Sequence, residues 1–376
     1  MIYFDYASTT PLNQEVLTTY TKLLENYYAN ADSLHTLGRE TQRLMEKSRA
    51  QIAQLLSVRT DELLFASCAS EANSMAIKGF ALANRHRGNH LITTSVEHSS
   101  VLAAFEQLEH EFGFRVTYLP VTKQGIVDVQ ALKKALDKDT VLVSIMYVNN
   151  ETGAINPLAE ISAYIHEHSR AAFHVDCVQA LGKLSIPLSI MDMATFSAHK
   201  IYGVKGSALL YKQQNIKLLP LINGGQQEQG MRGGTSNAPA NIVFAKTLRL
   251  ALEHQSEHYE YVQGLHDYLC DQLQQMENVQ INSNERCVPH IINASFLKIG
   301  SEIMLNALDE RGICVSAQST CASRSKAHSY VLAAMGLGEQ AATHAIRISL
   351  SHMTTLDEVE QLIQALKEIN HDYGTK

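Results

Sequence analysis

The chain has 376 residues, of which 45% are hydrophobic and 18% charged, the make-up of a soluble globular protein long enough for two lobes. A net charge of −7 gives no basic footprint for nucleic acid or an anionic membrane, though it leaves room for a transient RNA-enzyme partner. The six cysteines (68, 177, 270, 287, 314 and 321) are scattered with no Cys-x-x-Cys, which argues against a disulfide framework and a zinc site and fits a reducing cytoplasm.

The first residues, Met1 to Tyr6, lack the basic and apolar regions of a signal peptide, and no apolar run is long enough to span a membrane. Residues 1–12 are short and turn-rich. Amphipathic patterns predict helices at about 13–27 and 39–57, with a polar loop from Asn30 to Gly38 between them. From residue 63 short apolar strands alternate with helices. The strands are expected at 63–65, 90–93, 116–119, 141–148, 172–175, 193–196 and 208–211, the helices at about 71–85, 99–112, 129–137 and 158–168. The run Val141–Val148 is nearly continuous apolar, as a strand covered on both faces must be. This rhythm predicts an α/β lobe around a mostly parallel sheet, with a ligand beyond the carboxyl ends of the strands. A glycine-rich loop, 223–235, interrupts it, and a long helical region follows at about 238–277. The rest reads as a smaller α+β lobe, with strands near 290–297, 313–316 and 345–350 and helices near 301–311, 327–335 and 355–370. The expected division is a large lobe, 13–259, and a small one made of 1–12 and 260–376.

Between two of the buried strands lies Ser197-Ala198-His199-Lys200-Ile201-Tyr202-Gly203. A lysine in a tight turn there is placed to point into a cleft. Its amine can form a Schiff base with pyridoxal 5′-phosphate (PLP), with Ser197 and His199 facing the phosphate; a solvated surface lysine is the alternative. Asp176 ends a strand, where it suits either the protonated nitrogen of a pyridine ring or the cap of a helix; Gln179, one turn on, would reach a ring hydroxyl. Ser67–Asn73 joins a strand to a helix and can offer amides to a phosphate or simply cap the helix. His98 stands at a similar junction, to stack on a planar ring or to cap. Asn149-Asn150 closes the longest strand, as a turn or as an amide that orients a cofactor oxygen. Cys321 sits in a small, polar stretch with Arg324 and Lys326 close behind, neighbours that favour a thiolate.

Seven segments occur in one order along the whole chain: Phe4–Pro11, Ser70-Glu71, Val96-Glu97-His98, Val148–Glu151, His174-Val175-Asp176, Ser197–Gly203 and Gly230–Thr235. Their order and spacing resemble the cysteine desulfurases of the NifS/IscS type, within the class V aminotransferases. The resemblance implies a PLP-dependent fold of type I and a homodimer. It implies that Lys200 anchors PLP and moves protons, that Asp176 pairs with the pyridine nitrogen and Gln179 with the ring oxygen, and that His98 stacks on the ring. Asn150 would also touch the cofactor, and Ala69, Ser70, Ser197 and His199 would bind its phosphate, with Thr235 reaching the phosphate of the neighbouring subunit. Arg347 matches the arginine that grips the substrate carboxylate, and a guanidinium suits that work because it binds carboxylate as a fork. Asn30, in the first polar loop, is placed with the substrate-binding residues, and Cys321 matches the cysteine that receives sulfur.

The expected reaction takes sulfur from L-cysteine, leaves a persulfide on Cys321 and releases L-alanine, the sulfur then passing to an acceptor thiol. A selenocysteine lyase or cysteine sulfinate desulfinase shares the frame, and a PLP-binding scaffold without turnover is the reading outside enzymes. The chain departs from the family's pattern at Gln318 and Thr320, where smaller residues are usual, at Gln229 and at Ala31. A stiffer Cys321 loop and a short tail after the last helix point to a dedicated acceptor, a tRNA-thiolating sulfurtransferase before a general iron–sulfur scaffold.

Overall fold

The computed structural model of the protein describes residues 1–317 and 328–374. Cys321, with Gln318, Thr320, Arg324 and Lys326, lies outside the described residues.

The strands are β1 (Ile2–Tyr3), β2 (Leu63–Ala66), β3 (His90–Thr94), β4 (Arg115–Leu119), β5 (Thr140–Ser144), β6 (Ala172–Asp176), β7 (Met193–Ser197), β8 (Ala208–Lys212), β9 (Val279–Ile281), β10 (Ile291–Phe296), β11 (Ile313–Cys314) and β12 (Ala345–Ser349). Seven of them form one sheet in the order β2-β8-β7-β6-β5-β3-β4. Its pairs from β7 to β4 are parallel; β8 runs antiparallel to both of its neighbours. The helices on its faces are α1 (Gln14–Asn26), α2 (Thr36–Leu56), α3 (Ala69–Ser74), α4 (Phe80–Ala83), α5 (Ser99–His110), α6 (Val129–Ala135), α7 (Leu158–His168) and α8 (Ala238–Glu253). Because both faces are covered, every residue of β2, β3, β5, β6, β7 and β8 is buried. The two faces carry separate apolar cores, one around Phe173 and Phe196, the other around Phe80 and Phe105.

A third core gathers Phe4, Leu269, Phe296, Ile348 and Leu362. It lies under the antiparallel sheet β12-β10-β9, with α9 (Gln255–Gln274), α10 (Ser301–Asp309) and α13 (Leu356–Gly374). Two short helices, α11 (Tyr330–Ala334) and α12 (Glu339–Thr343), complete this part. The first residues of the chain join it, since β1 pairs with β11.

The structure shifts several expected boundaries. The run 141–148 forms a strand only to Ser144. Its ladder with β6 continues, with Ile145 N–H and Tyr147 N–H donating to the carbonyls of His174 and Asp176. On the other side Met146 N–H donates to the buried carboxyl of Glu97 at 3.0 and 3.1 Å, so a side chain stands where a neighbouring strand would. The helical region 238–277 breaks at His254 (φ −110°, ψ 13°) into α8 and α9. The helix expected at 71–85 begins at Ala69 and widens by one turn over 75–79.

Candidate active site

Lys200 closes a single helical turn, 198–200, directly after β7. The turn is tight because Gly203 has no side chain: a Cβ there would meet the Ala198 carbonyl oxygen at 2.8 Å. Tyr202 takes the left-handed conformation (φ 65°), held by its N–H to Thr10 Oγ1 at 2.8 Å and its hydroxyl against Ser351 Oγ at 2.5 Å. The N-terminal segment clasps the same turn. Thr10 N–H donates to the His199 carbonyl at 3.0 Å, and Lys200 Nζ donates to the carbonyls of Ala7 and Ser8, both at 2.6 Å. Ala7 is tied to β12 through Ser349 Oγ. The lysine thus sits where the large sheet meets the first residues of the chain.

A cavity of about 200 Å³ opens there, beyond the carboxyl ends of the parallel strands. Lys200, Asp176, His98, Asn150, Gln179 and Arg347 all line it, as do Ala69, Ser70 and His199. Asp176 ends β6, buried, and is fixed from two sides: Asn73 Nδ2 donates to Oδ2 at 2.9 Å and Val178 N–H to Oδ1 at 3.0 Å. His98 caps α5, its Nδ1 accepting from Ser100 N–H; burial, with Lys200 nearby, holds its pKa below the usual value. Gln179 Nε2 donates to the Ala7 carbonyl at 2.9 Å. His199 Nδ1 lies 3.2 Å from Thr9 Oγ1, and burial and two lysines push its pKa down to about 4. Ala69 and Ser70 open α3, where the first amides of a helix have no carbonyl inside it to bond.

Arg347, on β12, is 1% exposed. Its Nη1 donates to the Asn150 carbonyl at 2.8 Å, and its Nη2 to Asp5 Oδ1 at 2.9 Å and Ser8 Oγ at 2.7 Å. Its Nε has no partner among the described residues, nor do the buried Asn150 Oδ1 and Ser197 Oγ.

Three sequence-derived candidates stand outside this cavity. Asn30 is in an exposed loop, its Oδ1 accepting from Asp32 N–H. Thr235 is exposed and lines a separate hollow with Glu228 and Arg232. Ser197 is buried at the end of β7 and does not face the opening. Sequence reasoning gave no role to Asn73, Asp5 or Ser8. Asn73 follows Ser70 by three residues, one helical turn, and that spacing was the available signal for a second residue at the site.

Glu97 supports the floor of the site. Fully buried, it accepts from Thr94 Oγ1 at 2.7 Å and from Met146 N–H, and burial pushes its pKa up to about 8. The folded chain therefore binds one proton more than the unfolded chain between about pH 4.5 and 8, and this group's contribution to stability falls as pH rises through that window. Buried His174, lowered to about 3, acts oppositely below its usual range. Comparing Glu97→Gln with the parent isolates the carboxyl: thermal unfolding from pH 5 to 8 should show the parent losing stability relative to the variant, and parallel curves would contradict the assignment.

The residues fit PLP. The cavity brings together a lysine amine, a buried carboxylate, an imidazole and the opening residues of a helix, with Asn150 Oδ1 buried and without a partner among the described residues. The chain matches the Aminotransferase class-V family over residues 2–362 and belongs to it; the family is PLP-dependent. Within that family its relatives are named for sulfur chemistry. It is 42% identical to a "NifS/IcsS protein homolog" of Lactobacillus delbrueckii subsp. bulgaricus, over 100% of this chain and 98% of the relative. It is 39% identical to "Cysteine desulfurase IscS" of Dictyoglomus turgidum, over 98% of this chain and 96% of that one. A solved structure titled "NIFS-LIKE PROTEIN" superposes with a TM-score of 0.93 at 35% identity, covering 99% of both chains.

Proposed function

We propose that the protein is a PLP-dependent cysteine desulfurase that takes sulfur from L-cysteine onto Cys321 and releases L-alanine. The observation that carries this reading is the convergence of Lys200, Asp176 and Arg347 on one cavity. When bound, PLP supplies an electron sink for charge developing at the substrate Cα. Asp176, held by Asn73 and Val178, presents a carboxylate to a protonated ring nitrogen, and Gln179 presents its amide to the ring oxygen. His98 offers its ring face. Ala69, Ser70 and His199 hold the phosphate, with Ser197 buried behind them. The Arg347 fork takes the substrate carboxylate. The Lys200 amine accepts the proton from Cα and returns it.

The Cys321 thiolate attacks the substrate sulfur, the sulfur–sulfur bond forms as the carbon–sulfur bond breaks, and a proton replaces sulfur on carbon. L-Cysteine and one thiol thus become L-alanine and one persulfide, with no further oxidant. The chain divides in this reading into a PLP lobe, 13–259, and a smaller lobe of 1–12 with 260–376, supported by the separate core around Phe4, Leu269 and Leu362. No helix among the described residues is long and apolar enough to cross a membrane, and the reducing cytoplasm is the compartment in which a persulfide carrier and unpaired thiols suit each other.

The test is to supply PLP and L-cysteine and measure alanine together with persulfide by mass spectrometry. Parent protein should carry one extra sulfur on Cys321. Cys321→Ser should bind PLP and carry none; an undiminished persulfide, for instance on Cys314, would move the role. The same labelled persulfide, offered to a tRNA sulfurtransferase and an iron–sulfur scaffold together, tests the acceptor. We favour the tRNA enzyme because the sequence carries Gln318 and Thr320 where the family usually has smaller residues; faster transfer to the scaffold would reject that choice.

The site is completed by a second subunit in this reading, supported by Thr235 lying exposed and away from its own chain's cavity. Light scattering at working concentration should give twice the 41.7 kDa chain mass. A fully active monomer would contradict it.

A further inference from the structure

Lys200 and Ala7 also form a wall of a second cavity, of about 230 Å³, on the other side of the N-terminal segment. Nothing in the desulfurase reading uses it. Four histidines line it, His254, His258, His290 and His352, together with Lys183. The rings of His258 and His352 stack at 3.8 Å with an interplanar angle of 7°, and Tyr202 meets His352 edge-on. His290 is 8% exposed, and its Nδ1 has no hydrogen-bond partner among the described residues. A buried polar atom left in that state costs stability unless something fills its need. Lys183 Nζ donates to Gln179 Oε1 at 2.9 Å and has no carboxylate partner among the described residues. The acid at the cavity's mouth, Glu15, is already paired with Lys246 at 3.1 Å.

We infer that this cavity is a second binding site, for a small organic carboxylate held by Lys183 and His290 against an apolar wall. The charge census favours an anion: cationic or donor groups converge, and the one acid is engaged elsewhere. The wall favours a carbon body, since Leu181, Leu250 and Leu350 face the same space. A metal ion is disfavoured, because no group of three or more His, Cys, Asp or Glu among the described residues could hold one, and two stacked rings turn their faces to each other. Burial with Lys200 and Arg347 pushes the Lys183 pKa down to about 7, as expected of an ammonium that lacks a counter-charge. Burial, with Lys183 and the neighbouring histidines, holds His290 well below its usual value, so its ring is neutral and one nitrogen can donate.

The experiment is calorimetric titration of the holoenzyme with succinate, with uncharged succinamide and inorganic sulfate as comparison probes. Its readout does not depend on desulfurase turnover, so failure here leaves the proposed activity untouched. The expected result is one-to-one binding of succinate, none of succinamide, and weaker binding of sulfate. Lys183→Met and His290→Leu should each weaken succinate at least about tenfold, the effect of losing one charge-assisted bond. His290→Asn, closer in polarity, guards against misfolding and should show a smaller loss. Absence of binding heat up to about 10 mM succinate, tighter binding of sulfate than of succinate, or succinate affinity unchanged in Lys183→Met and both His290 variants would each overturn the inference.

Discussion

Lys200→Ala should lose alanine formation by at least about a thousandfold, the range spanned by removal of a positioned acid–base group. The lysine has two tasks in this reading, anchoring the cofactor and moving the Cα proton, and alanine performs neither. The two carbonyls that hold its amine cannot take over. Lys200 Nζ is held between the Ala7 and Ser8 carbonyls, groups that accept hydrogen bonds but cannot exchange a proton. Lys183, the other lysine close by, bonds Gln179 and lines only the second cavity. A second substitution separates charge from proton transfer. Lys200→Arg keeps a cation able to bond the same two carbonyls, yet a guanidinium does not give up its proton near neutral pH, so it should be as inactive as alanine. Assays with added PLP and L-cysteine decide the matter. Alanine produced at the parent rate by Lys200→Ala would remove Lys200 from the chemistry.

The α/β lobe was legible because its strands are short and buried on both faces, and apolar runs separated by helical periodicity have few other meanings. The errors fall where a side chain replaces a backbone partner. No periodicity announces that Glu97 will take the amide of Met146, so the end of β5 at Ser144 could not be read from Val141–Val148. The site was legible in part for a similar reason. Asp176, His98 and Lys200 stand at strand ends or helix starts, which the pattern locates. Asp5, Ser8 and Asn73 reach the site by contacts across 342, 339 and 103 residues of chain, to Arg347, Arg347 and Asp176, and spacing along the sequence carries no such information. The histidine cluster is the extreme case: His254 and His258 are four residues apart, but His290 and His352 join them only because β10 and the segment after β12 converge on the turn at Lys200.

Arg347 carries the second large effect, and it acts on binding and on stability at once. Its two Nη groups are engaged by Asn150, Asp5 and Ser8, while its Nε is buried without a partner among the described residues. Three of its five N–H groups thus fix the guanidinium in place, and in the proposed reading a substrate carboxylate is the group that the remaining two would take. Arg347→Lys keeps the charge but loses the planar fork, so KM for L-cysteine should rise at least about tenfold, with kcat less affected. Arg347→Ala goes further. It leaves Asp5 facing a site that has lost its cation, and removing one member of a buried pair costs about 3–5 kcal/mol. Asp5 keeps some contact with water, its side chain being 20% exposed, which places the expected loss toward the lower figure. Denaturant unfolding of the two variants separates the effects: lysine should cost less stability than alanine while still raising KM. If KM stayed at the parent value in Arg347→Lys, carboxylate recognition would belong to another residue, and Arg347 would be left as the tie between β12 and the N-terminal segment that clasps Lys200.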